Sequence, residues 1–138
     1  MRQTAVRLVV GIAVGLMIGC ASEPSAPAVS ETEARSTADD MLNAYNSGDY
    51  EGASRDWSDE LKVEIDRSTF ESSRAQILAK KGRYVEIVSV ELAPQQPDAD
   101  VTWYEFRARF EKDDNVLFMV AFDVESQKVA GAELEPAE

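Results

Sequence analysis

The chain has 138 residues and a mass of 15.2 kDa, enough for one domain, with 14 Lys and Arg against 26 Asp and Glu, no His, one Cys and a formal charge of -12. That balance excludes a cationic surface for nucleic acid, and the residue counts exclude His-based triads, imidazole metal ligands, disulfide frameworks and Cys-rich zinc sites. Apolar residues at 44% and charged residues at 29% describe a globular domain rather than a disordered tail.

Arg2 and Arg7 come first, and Leu8 to Gly19 is an uninterrupted run of apolar or small residues. That run is 12 residues long, short of the about 20 that a membrane-crossing helix needs. A basic flank, a short apolar centre and small residues beyond it are the anatomy of a secretory signal. The ending Met17-Ile18-Gly19-Cys20 resembles the lipobox of bacterial lipoprotein signal peptides, with Met17 where Leu is usual. The resemblance implies removal of residues 1–19 as a signal peptide and a diacylglyceryl thioether on Cys20. The protein is then expected in the cell envelope, lipid-anchored and facing the periplasm or the exterior. Ala21, where an Asp would signal inner-membrane retention, points to the outer membrane if the envelope has two. Two or three acyl chains make such an anchor effectively permanent, at about 0.8 kcal/mol per buried CH2. Loss of Arg2 and Arg7 makes the mature body two charges more negative, which keeps it off anionic headgroups.

Ala21 to Val29, small, polar and broken by two prolines, predicts an extended tether, so residues 20–30 are assigned to the lipidated Cys and a flexible linker. Ser30-Glu31-Thr32-Glu33 reads as a capping box, and Ala34, Ala38, Met41, Leu42 and Tyr45 recur behind it at helical spacing up to Ser47-Gly48. Asp49 is expected to cap a second helix over 50–57 that buries Ala53 and Trp57, and Ser58 to begin another turn through Leu61, Val63 and Ile65. Ser68-Thr69-Phe70-Glu71 predicts a further capping box, with Phe70, Ile77 and Leu78 inward, Lys80 and Lys81 in the last turn and Gly82 beyond it.

The period then changes to two. Arg83 to Leu92 reads as a strand, Pro94 to Asp100 as a polar loop, and Val101 to Glu111 alternates with Tyr104, Phe106, Ala108 and Phe110 on one face. Val116 to Val124 is apolar on both faces, as a central strand is, and Val129 to Leu134 is a short last strand. An odd-length loop through Lys112 to Asn115 is predicted, because it sets Phe118, Val120 and Phe122 beside Phe106 and Phe110. Asn115 is the residue expected to take the left-handed conformation there.

Helices followed by four antiparallel strands make an α+β fold. The stretch Ala44-Tyr45-Asn46-Ser47-Gly48-Asp49-Tyr50-Glu51-Gly52-Ala53 resembles the helix, Gly-Asp turn, second-helix signature of the nuclear-transport-factor-2-like superfamily. Trp57-Ser58-Asp59-Glu60-Leu61, Gly82-Arg83-Tyr84 and Lys128-Val129-Ala130-Gly131 are similar to a subfamily of bacterial and archaeal domains of unknown function. The resemblance covers 31–135 and implies N-terminal helices packed on a curved four-stranded sheet as a cone. The superfamily holds isomerases, dehydratases and many non-catalytic binding or dimerising modules, so the fold chooses no function.

Two readings follow. The first is a non-enzymatic module that binds a small apolar ligand or an envelope protein, with Tyr45, Trp57, Tyr84, Tyr104 and Phe106 lining the cone, or else filling its core. The second is a small isomerase-like or hydrolase-like enzyme using a carboxylate inside the cone, for which Asp123 in Val120-Ala121-Phe122-Asp123-Val124 is the candidate base if burial raises its pKa. An outward Asp123 at the strand's end would remove it. Trp103, Leu117 and Met119 with Arg107 and Arg109 would share the other sheet face and form a homodimer surface, or be scattered side chains beneath Arg stems. Asp98 and Asp100, or Asp113, Asp114 and Asn115, lack a calcium loop's pattern and read as solvated charges, so neither metal nor cofactor is expected.

Overall fold

A computed structural model describes residues 27–94 and 99–135. The expected signal peptide, Cys20, the expected tether up to residue 26 and most of the expected Pro94–Asp100 loop lie outside the described residues. Four helices precede a four-stranded antiparallel open sheet: α1 Glu31–Ser47, α2 Tyr50–Ser54, α3 Asp59–Glu64, α4 Arg67–Lys81, β1 Tyr84–Leu92, β2 Val101–Phe110, β3 Asp113–Asp123 and β4 Val129–Leu134. The strands lie in sequence order.

Local chemistry sets the helix ends. The Ser30 hydroxyl accepts from the Glu33 N–H while the Glu33 carboxylate accepts from the Ser30 N–H, which completes the capping box of α1. Gly48, left-handed at φ 77, closes α1. Asp49 and Ser58 cap α2 and α3. The α4 cap corrects the sequence reading: it is Asp66, whose carboxylate accepts from the Thr69 N–H, rather than Ser68. A carboxylate two residues upstream complements the helix dipole better than a hydroxyl and starts the helix earlier. The second helix also stops sooner than expected, because the backbone flanking Trp57 is recruited by β4. Ser58 N–H donates to the Val129 carbonyl and Val129 N–H to the Asp56 carbonyl, each at 2.8 Å.

The inward sheet face carries Tyr104, Phe106, Ala108 and Phe110 from β2 and Val116, Phe118, Val120 and Phe122 from β3, all buried. They pack on Ala34, Ala38, Met41 and Leu42 of α1 and on Phe70 of α4. All the described core residues fall between Ala28 and Leu134, so the chain from Ala21 onward carries this core entire.

The two strands face as expected, with Phe106 opposite Phe118, Ala108 opposite Val116 and Arg107 opposite Leu117. The expected odd-length loop is corrected: Glu111-Lys112 makes an even, two-residue turn, and one extra β3 residue bulging opposite Arg109 restores that facing. Asn115 lies in that bulge with its N–H on the Asp113 carboxylate and is not left-handed; among the described residues the non-glycine with positive φ is Gln127. Nor does β1 alternate. Its register shifts twice, so Tyr84, Ile87 and Val90 turn inward at every third residue.

The root of the tether corrects the linker boundary. Ala28 is buried, its N–H donates to the Thr102 hydroxyl at 3.1 Å, and its carbonyl accepts from the Gln127 amide at 2.8 Å. The Val29 carbonyl accepts from the Tyr104 hydroxyl at 2.8 Å. Three side chains thus grip three consecutive peptide units through the backbone of Ala28 and Val29, and residues 28–30 belong to the folded domain.

Candidate functional site

An apolar pocket of about 150 Å³ lies between the helices and the β3–β4 half of the sheet. Met41, Leu42 and Tyr45 of α1, Phe70 and Ile77 of α4, and Trp57 line it, and Phe118, Ala132 and Leu134 supply the sheet side. Half-buried Ile77, Ala132 and Leu134 with exposed Ser73 mark its mouth. Beyond the mouth a groove of about 200 Å³ shares Ser73, Ile77 and Leu134 with the pocket and adds Gln76, Lys80, Lys81 and Glu135.

Two residues that line this pocket each carry a buried polar atom with no hydrogen-bond partner among the described residues, the Tyr45 hydroxyl and the Trp57 indole Nε1. Both side chains are held from behind. The Tyr45 carbonyl accepts from Arg74 Nε at 2.6 Å, and its ring stands edge-on to Phe70 at 5.4 Å. Trp57 is 3% exposed, fixed by the backbone bridge to Val129 and by an edge contact with Tyr50 at 6.0 Å. Burial pushes the Tyr45 phenol well above its ordinary pKa, with Arg74 pulling weakly the other way. The phenol therefore stays protonated and is available as a donor.

Of the five aromatics expected to line a cavity, the structure brings Tyr45 and Trp57 together there and assigns the other three elsewhere. The Tyr84 hydroxyl donates to the Asp39 carboxylate at 2.5 Å, on the α1–β1 side. Tyr104 holds Val29. Phe106 is fully buried between Tyr104 and Phe118, at ring distances of 6.3 and 6.2 Å. Sequence reasoning placed Met41, Phe70, Ile77 and Phe118 inward but not around one cavity. Helical spacing of Met41 with Tyr45, and of Phe70 with Ile77, was the available signal.

Asp123 corrects the catalytic candidate. It sits at the end of β3 with its carboxylate accepting the Glu125 and Ser126 N–H groups at 2.8 and 2.9 Å. These backbone bonds, Ser126 first, hold its carboxyl below the ordinary value, the reverse of a base raised by burial. Among the described residues no Asp or Glu lines the pocket. Among the described residues there is no cluster of three or more His, Cys, Asp or Glu able to hold a metal.

Trp103, Leu117 and Met119 are half-buried on the outward sheet face and Arg107 is exposed there. Trp103 lies against its own sheet, its ring edge 3.5 Å from where a Cβ on Gly131 would stand. Arg109 pairs with Glu86 at 2.6 Å.

The chain matches no protein-family model and no curated protein. An NMR structure of a protein from Ruminococcus gnavus ATCC 29149 is similar in fold, with a TM-score of 0.60 and 18% identity, covering 80% of this chain and 95% of that one.

Proposed function

We propose that the chain is an envelope lipoprotein, anchored through lipidated Cys20, whose nuclear-transport-factor-2-like domain binds a small apolar ligand between its helices and sheet. The observation that carries the binding reading is the apolar pocket of about 150 Å³, the size of an engineered cavity that takes up benzene. The Met17-Ile18-Gly19-Cys20 ending supports the anchor, and the order of capped helices and antiparallel strands supports the superfamily. The alternative enzyme, with a carboxylate working inside the cone, finds none among the described residues of this wall.

Native mass spectrometry on the chain from Ala21 onward tests the binding role. A retained small-molecule adduct, lost in Phe118→Trp, which fills the pocket, is expected. An adduct that survives the filling would place the ligand elsewhere and overturn the reading. The anchor is tested separately: labelled palmitate should enter the wild-type chain and not Cys20→Ala, and equal labelling of both would refute lipidation at that residue.

A further inference from the structure

The two edges of the sheet are built differently. On β1 the outer side is closed: the Asn46 side chain answers both the Tyr84 N–H and the Tyr84 carbonyl, and Arg35 donates to the Ile87 carbonyl at 2.7 Å. Two register shifts also distort that strand. Such features keep a sheet edge from pairing with another strand. The other edge, β4, carries neither Pro nor Lys. It is answered at its first residue, where the segment around Trp57 makes a parallel bridge. There Ser58 N–H donates to the Val129 carbonyl and Val129 N–H to the Asp56 carbonyl. Among the described residues no strand continues that bridge.

The register of β4 identifies the groups that are left. Glu135 N–H donates to the Leu117 carbonyl, so Glu135 turns its amide toward β3. From Gly131 to Leu134 the pairing with β3 runs without a shift. Backbone groups alternate in direction along an antiparallel ladder, so Ala132 and Leu134 turn their N–H and C=O away from β3. The same two residues line the apolar pocket at its half-buried mouth, together with Ile77 and Ser73 of α4. A strand added to this edge would lie about 4.8 Å from β4, with alternate side chains on the face that Ala132 and Leu134 turn to the pocket. One of those side chains would stand at the mouth, and the chain beyond it would run along the groove lined by Gln76, Lys80 and Glu135.

The occupant that fits is a polypeptide, because an extended backbone repeats donors and acceptors at the spacing of this edge. A volume of about 150 Å³ admits one aliphatic or aromatic side chain. A second β4 fits poorly, since it brings Ala and Gly where the pocket needs bulk, and its Leu134 is already part of the wall.

Resting on the pocket's binding role proposed above, we infer that β4 is a docking edge: an extended segment of another protein adds to it as a fifth strand, bonded by the Ala132 and Leu134 backbone, with one large apolar side chain in the pocket.

The test selects random displayed heptapeptides on the chain from Ala21 onward, with toluene as the probe for the pocket alone. Peptides sharing one Leu, Ile, Val or Phe are expected to be enriched. At saturation a synthetic copy of the most enriched one should slow hydrogen exchange at the Ala132 and Leu134 amides about tenfold or more, which toluene should not do. Changing its apolar residue to Ala, or filling the pocket with Phe118→Trp, should weaken binding about tenfold or more. The peptide's own Ala variant reads the same contact should Phe118→Trp fail to fold. Peptides indifferent to the apolar residue, or leaving both amides exchanging as before, would overturn the inference. A library that yields no such peptide while toluene still moves the Leu134 methyl signals would overturn it too, with the small-ligand reading left standing. Failure of toluene as well would remove the pocket's binding role and the inference together. Amides already protected in a chain that sediments as a dimer would give the edge to a second copy and overturn the peptide.

Discussion

Asn46 and Tyr84 are joined side chain to backbone as though Asn46 were a neighbouring strand. The Asn46 amide donates to the Tyr84 carbonyl at 2.9 Å, and its oxygen accepts from the Tyr84 N–H at 2.8 Å. The last turn of α1 is thereby locked to the first residue of β1, the free edge of the sheet. Replacing Asn46 with Ala strands one donor and one acceptor, both buried, and is expected to cost about 2–4 kcal/mol in urea unfolding. A change under 0.5 kcal/mol would show that the edge needs no such lock.

Lys81 and Asp113 form an asymmetric pair. The lysine side chain is 3% exposed and the carboxylate 28%, at 3.3 Å. Removing the carboxylate leaves a buried ammonium, so Asp113→Ala should destabilise by roughly 2 kcal/mol, while Lys81→Met should cost less than half of that. Equal losses in chemical denaturation would contradict the asymmetry.

The clamp on Ala28 and Val29 makes a prediction about the anchor. Thr102 is fully buried, and Thr102→Val removes the acceptor for the Ala28 N–H at nearly constant shape. Hydrogen exchange at Ala28 should accelerate about fivefold or more, with a global loss of about 1 kcal/mol. If Ala28 exchanges at the rate of an open chain in the wild type, the clamp does not hold in solution.

Alkaline pH should unfold the domain through its phenols. Burial, mainly, raises Tyr45, Tyr84 and Tyr104 above their ordinary value, and the Asp39 carboxylate adds to this at Tyr84. The unfolded chain then loses protons first, near pH 10, so the contribution is complete below about 10 and lost as pH climbs past it. Absorbance at 295 nm should show these phenols ionising with the loss of the circular dichroism signal. Ionisation near pH 10 with a native spectrum would refute it. The opposite sign holds for Asp66, Asp113 and Asp123, whose carboxyls are held low chiefly by backbone N–H groups: their contribution is present above about pH 4 and fades as pH falls.

Helix ends and strand faces were legible in the sequence because they are local. A capping box spans four residues, Gly48 needs only its own φ, and the alternation of β2 fixes which side chains share a face. Even the facing of β2 and β3 could be read, though not the even turn and bulge that produce it, since a slip of one residue would have put Phe118 outside. The β1 bulges, the Asp66 cap and the early end of α2 could not, because each is decided by a partner far along the chain or by competition between nearby caps.

The site divides in the same way. Tyr45, Tyr84 and Tyr104 are one residue type on similar apolar faces, and sequence gave no ground for separating them. Their fates were set by what each hydroxyl reaches: Asp39 for Tyr84, the Val29 carbonyl for Tyr104 and, among the described residues, no acceptor for Tyr45. Trp57 joins Tyr45 only because Val129, some seventy residues downstream, pins its backbone. Composition and period determined that an acidic α+β domain would form and which faces it would bury. The tertiary structure alone decided where the packing leaves a cavity and which partner each buried hydroxyl finds, because a hydrogen-bond partner is chosen by distance in space, which local periodicity does not encode.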